Sequence, residues 1–112
     1  MIDPHLITSI LTRTRDLVQQ GYCKEWYAVD SNNQGVGILA SEACAWCLEG
    51  AFYLAVFEHK AMLSYALLLK DLERYIPSPY QGEYLSVWSD LATTTQADVL
   101  ALLERAMEGV NL

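Results

Sequence analysis

Basic residues are scarce in this chain. It carries 7 Lys and Arg against 14 Asp and Glu, a formal net charge of −7, and the cations are scattered with no basic run. Sequence-independent phosphate binding needs clustered Lys and Arg, so direct nucleic-acid binding is not expected. An acidic surface confers solubility and suits a basic protein partner. There are only 2 histidines, and neither His5 nor His59 sits beside a nucleophile motif. GxSxG, HExxH and phosphate-cradling glycine loops are missing as well. With no catalytic constellation, a binding protein is favoured over an enzyme.

Cysteine numbers 3, an odd count that does not build the disulfide framework of a secreted mini-protein. The start, MIDPHLITSI, has no basic stretch followed by a long apolar one, so no signal peptide is expected. The longest apolar stretch, Ala43 to Phe57, is interrupted by Glu49 and falls short of the roughly 20 residues needed to cross a bilayer. A reducing cytoplasm and no membrane partner follow as expectations. Internal repeats and low-complexity tracts are absent.

What is present suits a packed fold. Of the 112 residues, 53% are hydrophobic and 19% charged, which favours one globular domain, 1–112, with a single core. Asp3 and Pro4 read as the cap and first position of a helix. Its apolar face is Leu6, Ile7, Ile10, Leu11, Thr14, Leu17 and Val18, and Gly21 is placed as a left-handed terminator. Tyr22 to Val29 and Val36 to Leu39, separated by the turn cluster Asp30–Gly35, read as a small hairpin.

Ser41 to Phe57 reads as a buried central helix capped by Ser41, because it is apolar almost all round. One thin polar line, Glu42, Glu49 and Tyr53, falls within roughly 20° at the helical period. Gly50 costs about 1 kcal/mol in mid-helix, which points to a close backbone approach there. Glycine and proline are then absent until Pro77. An unbroken helix from Ser41 to Tyr75 would be roughly 52 Å long, too long for a globule of about 13 Å radius of gyration. A break near Glu58-His59-Lys60 is therefore expected, followed by a helix over Ala61–Tyr75. A long helix shared across a homodimer is the alternative. After Pro77 and Pro79, a short helix over Gln81–Ser89 would carry Tyr84 and Trp88 on the same side as Tyr80. Thr95 and Asp98 imitate a capping box ahead of a last helix with Val99, Leu102, Leu103, Ala106 and Val110 inward. The fold class is mainly α (α+β): four to five helices around a buried central helix, with a small β-hairpin.

Three functional readings follow. The first is a non-catalytic interaction or regulatory protein, working through an acidic, aromatic surface. Its candidate residues are Glu42, Glu49, Tyr53, Tyr80, Tyr84 and Trp88, since Tyr and Trp are enriched at interface hot spots. Trp26, Tyr27 and Tyr75 are further aromatics, and closure of the core is the competing role for all of these rings. The second reading is a small redox or metal protein using Cys44 and Cys47, whose sulfurs would lie one turn apart on a helix. Against it, such motifs usually follow a core strand, and an apolar helix makes a thiol an inert hydrophobe. A zinc site would need Cys23, His5 or His59 to complete four ligands; His59 lies about 18 Å along the helix from Cys47. No cofactor or metal is implied. The third reading is an acidic decoy that occupies a nucleic-acid-binding protein.

Several spaced features carry a resemblance. The first helix runs into Gly21-Tyr22-Cys23, followed by Ala45-Trp46-Cys47-Leu48-Glu49-Gly50-Ala51-Phe52. The chain closes with Val87-Trp88-Ser89-Asp90 and Thr95-Gln96-Ala97-Asp98-Val99-Leu100. In this order the chain resembles a family of small uncharacterised bacterial and phage proteins, a domain of unknown function with a WC-x-x-GA helix and a W-N-D plus T-x-x-D/E-V-L ending. Ser89 departs from the usual Asn, and Cys44 stands outside the motif, which weakens a paired-thiol role. The resemblance implies the architecture and no activity.

Overall fold

The computed structural model describes residues 2–110. The elements in order are α1 (Pro4–Gln20), β1 (Ala28–Val29), β2 (Ala45–Trp46), α2 (Leu48–Glu58), a 3-10 turn (Met62–Ser64), α3 (Tyr65–Glu73), α4 (Leu85–Ser89) and α5 (Gln96–Val110). The protein is mainly α, with a small antiparallel two-stranded sheet in which Ala28 pairs with Trp46 and Val29 with Ala45. The helices α1, α2 and α5 form the core, α1 packing on both of the others.

α1 forms as its sequence dictates. Asp3 accepts a hydrogen bond from the His5 N–H at 2.9 Å, and Pro4 occupies the first turn. Ile10, Leu11, Thr14, Leu17 and Val18 are buried. Thr14 satisfies its buried hydroxyl by donating to the Ile10 carbonyl at 2.8 Å. Gly21 is not left-handed, however: its φ of −174° is extended backbone. Its smallness serves another purpose, because a Cβ there would stand 2.5 Å from the Cys44 carbonyl oxygen.

The central helix is shorter than its apolar run. From Ser41 to Cys47 the chain is not helical, because its backbone groups bond to other segments instead of to the residue four back. The Cys44 N–H donates to Val29 O at 2.9 Å, Trp46 N–H to Gly21 O at 3.0 Å, and Cys47 N–H to Tyr27 O at 3.2 Å. Ser41 therefore caps no helix. Cys47 does so, its Sγ accepting from the Gly50 N–H at 3.3 Å. The expected hairpin partner is displaced for the same reason. Ala45–Trp46 takes the place beside β1, and of the segment Val36–Leu39 only the Val36 N–H reaches it, at Ala28 O. The turn itself is where it was placed: Asp30 Oδ1 accepts from the N–H groups of Asn32 and Gln34, both at 2.9 Å.

α2 is largely apolar because most of it is buried, with Phe57 and Glu58 exposed at its end. Leu48, Ala51, Phe52, Ala55 and Val56 are each no more than 2% exposed, and burying a large apolar side chain contributes about 1.5–3 kcal/mol. The helix stops at Glu58, and Lys60 turns the chain with φ 57°. The break near Glu58-His59-Lys60 is thus present, and the radius of gyration is 13.1 Å. The next helix is trimmed to Tyr65–Glu73 behind a 3-10 turn, and the short helix over Gln81–Ser89 to Leu85–Ser89. α5 follows its pattern, with Val99, Leu102, Leu103 and Ala106 buried. Its capping box is reciprocal: the Thr95 N–H donates to Asp98 Oδ2 at 2.9 Å and the Asp98 N–H to Thr95 Oγ1 at 3.1 Å. Among the described residues, no helix is long and apolar enough to cross a membrane.

Gly50 is where α2 meets the strand segment. A Cβ on Gly50 would fall 2.1 Å from the Tyr27 carbonyl oxygen, so backbone would have to move. Gly50→Ala gains about 1 kcal/mol of helix propensity and meets an overpacking cost of about 1–3 kcal/mol or more. Chemical denaturation is expected to show net destabilisation; an unchanged or raised midpoint would remove the close contact.

Candidate functional site

Three cavities follow one another through shared wall residues and are treated together as a groove. The first, about 570 Å3, lies between α3 and the loop before α4, with Glu73, Lys70, Arg74 and Tyr84 on its walls. The second, about 220 Å3, is lined by Tyr27, Ile38, Glu49, Tyr53 and Tyr65. The third, about 250 Å3, is lined by Glu25, Trp26, Tyr27, Cys47, Ser86 and Asp90. Tyr65 belongs to the first two and Tyr27 to the last two. A fourth, wholly different space under α1 and α3, lined by Ile7, Leu11, Leu68 and Tyr75, holds only about 30 Å3 and is a core packing gap.

Each side chain of the groove is placed by a nearby backbone constraint. Tyr27 precedes β1, and its own carbonyl accepts from the Cys47 N–H. Glu49 stands in the first turn of α2, where the positive end of the helix favours a carboxylate. Tyr53 follows one turn later. Tyr65 opens α3 and meets both Tyr53, edge-on with centroids 5.3 Å apart at 70°, and Phe52 at 6.0 Å. Glu73 ends α3 and accepts from the Leu85 N–H at 2.7 Å, tying α3 to the start of α4.

Negative charge crowds around Glu49. Burial, and then repulsion from Glu73, raise the Glu49 carboxyl above the ordinary glutamate value; a hydrogen bond with the Tyr27 hydroxyl opposes this, and Asp90 adds to the rise. The Glu49 charge in turn raises Tyr27, with burial second. Burial, followed by Glu49, raises Tyr65. The cations that form ion pairs do so with other carboxylates: Arg13 with Glu58, Arg15 with Asp16 and Glu104, and Arg74, on the wall of the first cavity, with Asp71. Among the described residues, Glu25, Glu49, Glu73, Glu83 and Asp90 are in no ion pair.

The residues expected from sequence separate. Glu49 and Tyr53 do share the second cavity. Glu42 is removed from their line because its segment is not helical; it is exposed and accepts from the Ser41 hydroxyl at 2.8 Å. Tyr84, 73% exposed, borders the first cavity, and Tyr80 is exposed outside the short helix. Trp88 cannot offer a surface: it is 2% exposed and packs into the core from α4. Sequence alone offered no reason to single out Tyr65, Glu73 or Glu25, and marked Asp90 only as part of the W-N-D-like motif. Their convergence depends on the turns at Lys60 and before α4, and helical periodicity carries no signal for it.

Cys44 and Cys47 are not one turn apart on a helix, since Cys44 lies in the extended segment and Cys47 is the cap. Burial pushes the Cys47 thiol up to about 12, against an opposing hydrogen bond from Gly50. Burial likewise pushes Cys23 up to about 11. Raised thiols are poor nucleophiles at neutral pH. Among the described residues, no three His, Cys, Asp or Glu side chains converge as a metal site.

Residues 3–108 match a family of unknown function, DUF6197. The chain belongs to this family. Neither the curated proteins nor the solved structures contain a match to it. Membership spans nearly the whole chain and assigns the groove no activity.

The raised Glu49 has a consequence for stability. Its folded value lies above its unfolded one, so the native state holds the proton more tightly, and stability falls as pH rises from about the ordinary 4.5 through the raised value. Glu49→Gln is expected to raise the melting temperature at neutral pH and to flatten this slope. A mutant that melts lower at neutral pH, with the slope intact, would contradict the assignment.

Proposed function

We propose that this protein is a non-catalytic interaction module whose groove receives a basic segment of a protein partner. The observation that carries the reading is the set of five carboxylates, Glu25, Glu49, Glu73, Glu83 and Asp90, in no ion pair along a groove walled by Trp26, Tyr27, Tyr53, Tyr65 and Tyr84. A folded chain that keeps carboxylates close enough to repel one another, with its own arginines paired to other carboxylates, gains when a cation arrives. The aromatic rings supply rigid area at small cost in side-chain entropy and attract cations over their faces. Trp26 and Tyr27 are 58% and 52% exposed, as contact residues must be. Lys70 and Arg74 are on the walls of the first cavity and of neither other one, so the basic segment is expected to run from Tyr65 towards Trp26.

The thiol reading has less to support it, because the cap position and burial of Cys47 leave it neutral at ordinary pH. A cytoplasmic location suits a module with three free thiols.

Binding of Lys- and Arg-containing peptides, followed by calorimetry, tests the reading. Affinity should fall markedly between about 0.01 M and about 0.15 M salt, as the Debye length shrinks from about 30 to about 8 Å. Glu49→Gln and Glu73→Gln should each weaken binding by about two- to fivefold, and Glu42→Gln should not. Binding that ignores salt, or that Glu42→Gln weakens as much as Glu49→Gln, would overturn it.

A further inference from the structure

The middle cavity has a chemistry of its own. At about 220 Å3 it is smaller than the roughly 300–1,000 Å3 pockets that take whole drug-sized ligands. Water occupies about 30 Å3, so the space suits one branched head group of a few heavy atoms. Two of its walls are rings that meet at 70° with centroids 5.3 Å apart, forming a corner. A cation seated in that corner is within the roughly 6 Å reach of both ring centroids. Tyr27 makes a third wall, close enough to Glu49 for the carboxylate charge to raise its hydroxyl, and Ile38 adds an apolar side chain.

The polar inventory of the cavity decides among cations. A bare lysine ammonium brings three donors and a tightly held hydration shell, and a guanidinium brings five donors that prefer a bidentate carboxylate. Here a single carboxylate serves the whole cavity, and the remaining walls are tyrosine rings and the aliphatic carbon of Ile38. A fully alkylated ammonium has no donor to satisfy, is weakly hydrated, and needs only negative charge and π faces. The α2 N-terminus opposes a cation, but Glu49, with Glu73 and Asp90 nearby, supplies full negative charges against that partial one.

We propose that the cavity of Tyr27, Glu49, Tyr53 and Tyr65 binds the alkylated ammonium head of a cationic ligand. Resting on the groove reading above, this makes a methylated lysine of the basic segment the group that anchors it. A free quaternary ammonium compound has the same chemistry and is the other source.

The test compares four probes on the wild-type protein by calorimetry and by shifts of labelled tyrosine ring signals. These are a basic peptide carrying trimethyl-lysine, the same peptide with lysine, its neutral tert-butyl isostere, and free choline. The trimethyl-lysine peptide should bind about tenfold more tightly than the isostere and should shift the Tyr53 and Tyr65 signals. Tyr53→Leu should remove about that tenfold difference. Equal affinity of the methylated, unmodified and isostere peptides, or a difference that survives Tyr53→Leu, would overturn the cage. If the unmodified basic peptide then still bound with salt sensitivity, the groove would stand without it. If choline bound while no peptide did, the cage would stand and the protein-partner reading would fall.

Discussion

The backbone of Gly50 lies against the carbonyl of Tyr27, and the acidic groove depends on that contact. The same carbonyl accepts from the Cys47 N–H, so the first turn of α2 is docked on the segment leading into β1. This brings Tyr27 beside Glu49, two residues that the chain separates by more than twenty positions. A side chain at residue 50 would part them, since even a Cβ would reach within 2.1 Å of the carbonyl oxygen. Gly21, pressed against Cys44 and Ala45, does the same for the other end of the extended segment.

With that docking in place, the carboxylates follow. Glu49 is held by the helix start, Glu73 by its bond to the Leu85 N–H, and Asp90 by its position just past α4. The cost of crowding them appears as a raised Glu49, with burial the largest cause. Ion pairing is instead used to join helices at the surface: Arg13 to Glu58 links α1 with α2, and Arg15 to Glu104 links α1 with α5. Such exposed pairs contribute little, typically about 0–1 kcal/mol. The apolar core supplies the stability, which leaves the groove free to be electrostatically unfavourable until a cation enters.

Much of the helical frame was legible in the residues. α1 and α5 carry strong local signals, a capped start and an apolar stripe, and both appear as read. The break after Glu58 was legible through length alone, because an unbroken rod could not fit the globule. The stretch Ser41–Cys47 was not, since an apolar run of that composition serves equally as buried helix or buried extended chain. Its fate was decided by long-range hydrogen bonds to Gly21, Tyr27 and Val29. That one reassignment took Glu42 out of the polar line, made Cys47 a cap, and gave β1 its partner. Of the site, Glu49 and Tyr53 could be paired from helical spacing, whereas Tyr65 and Glu73 arrive through tertiary folding. Trp88 illustrates the converse: an aromatic with interface character whose helix turns it inward.

The central claim is that Glu49 is a partly buried carboxylate kept without a cation and waiting for one. Carbon-detected NMR titration of its carboxyl group, alone and with the trimethyl-lysine peptide, measures this directly. A value above the ordinary glutamate range is expected in the free protein and a lower one in the complex, since a cation that favours the ionised form must by linkage release the proton. An ordinary value in the free protein, unchanged by the peptide, would contradict it.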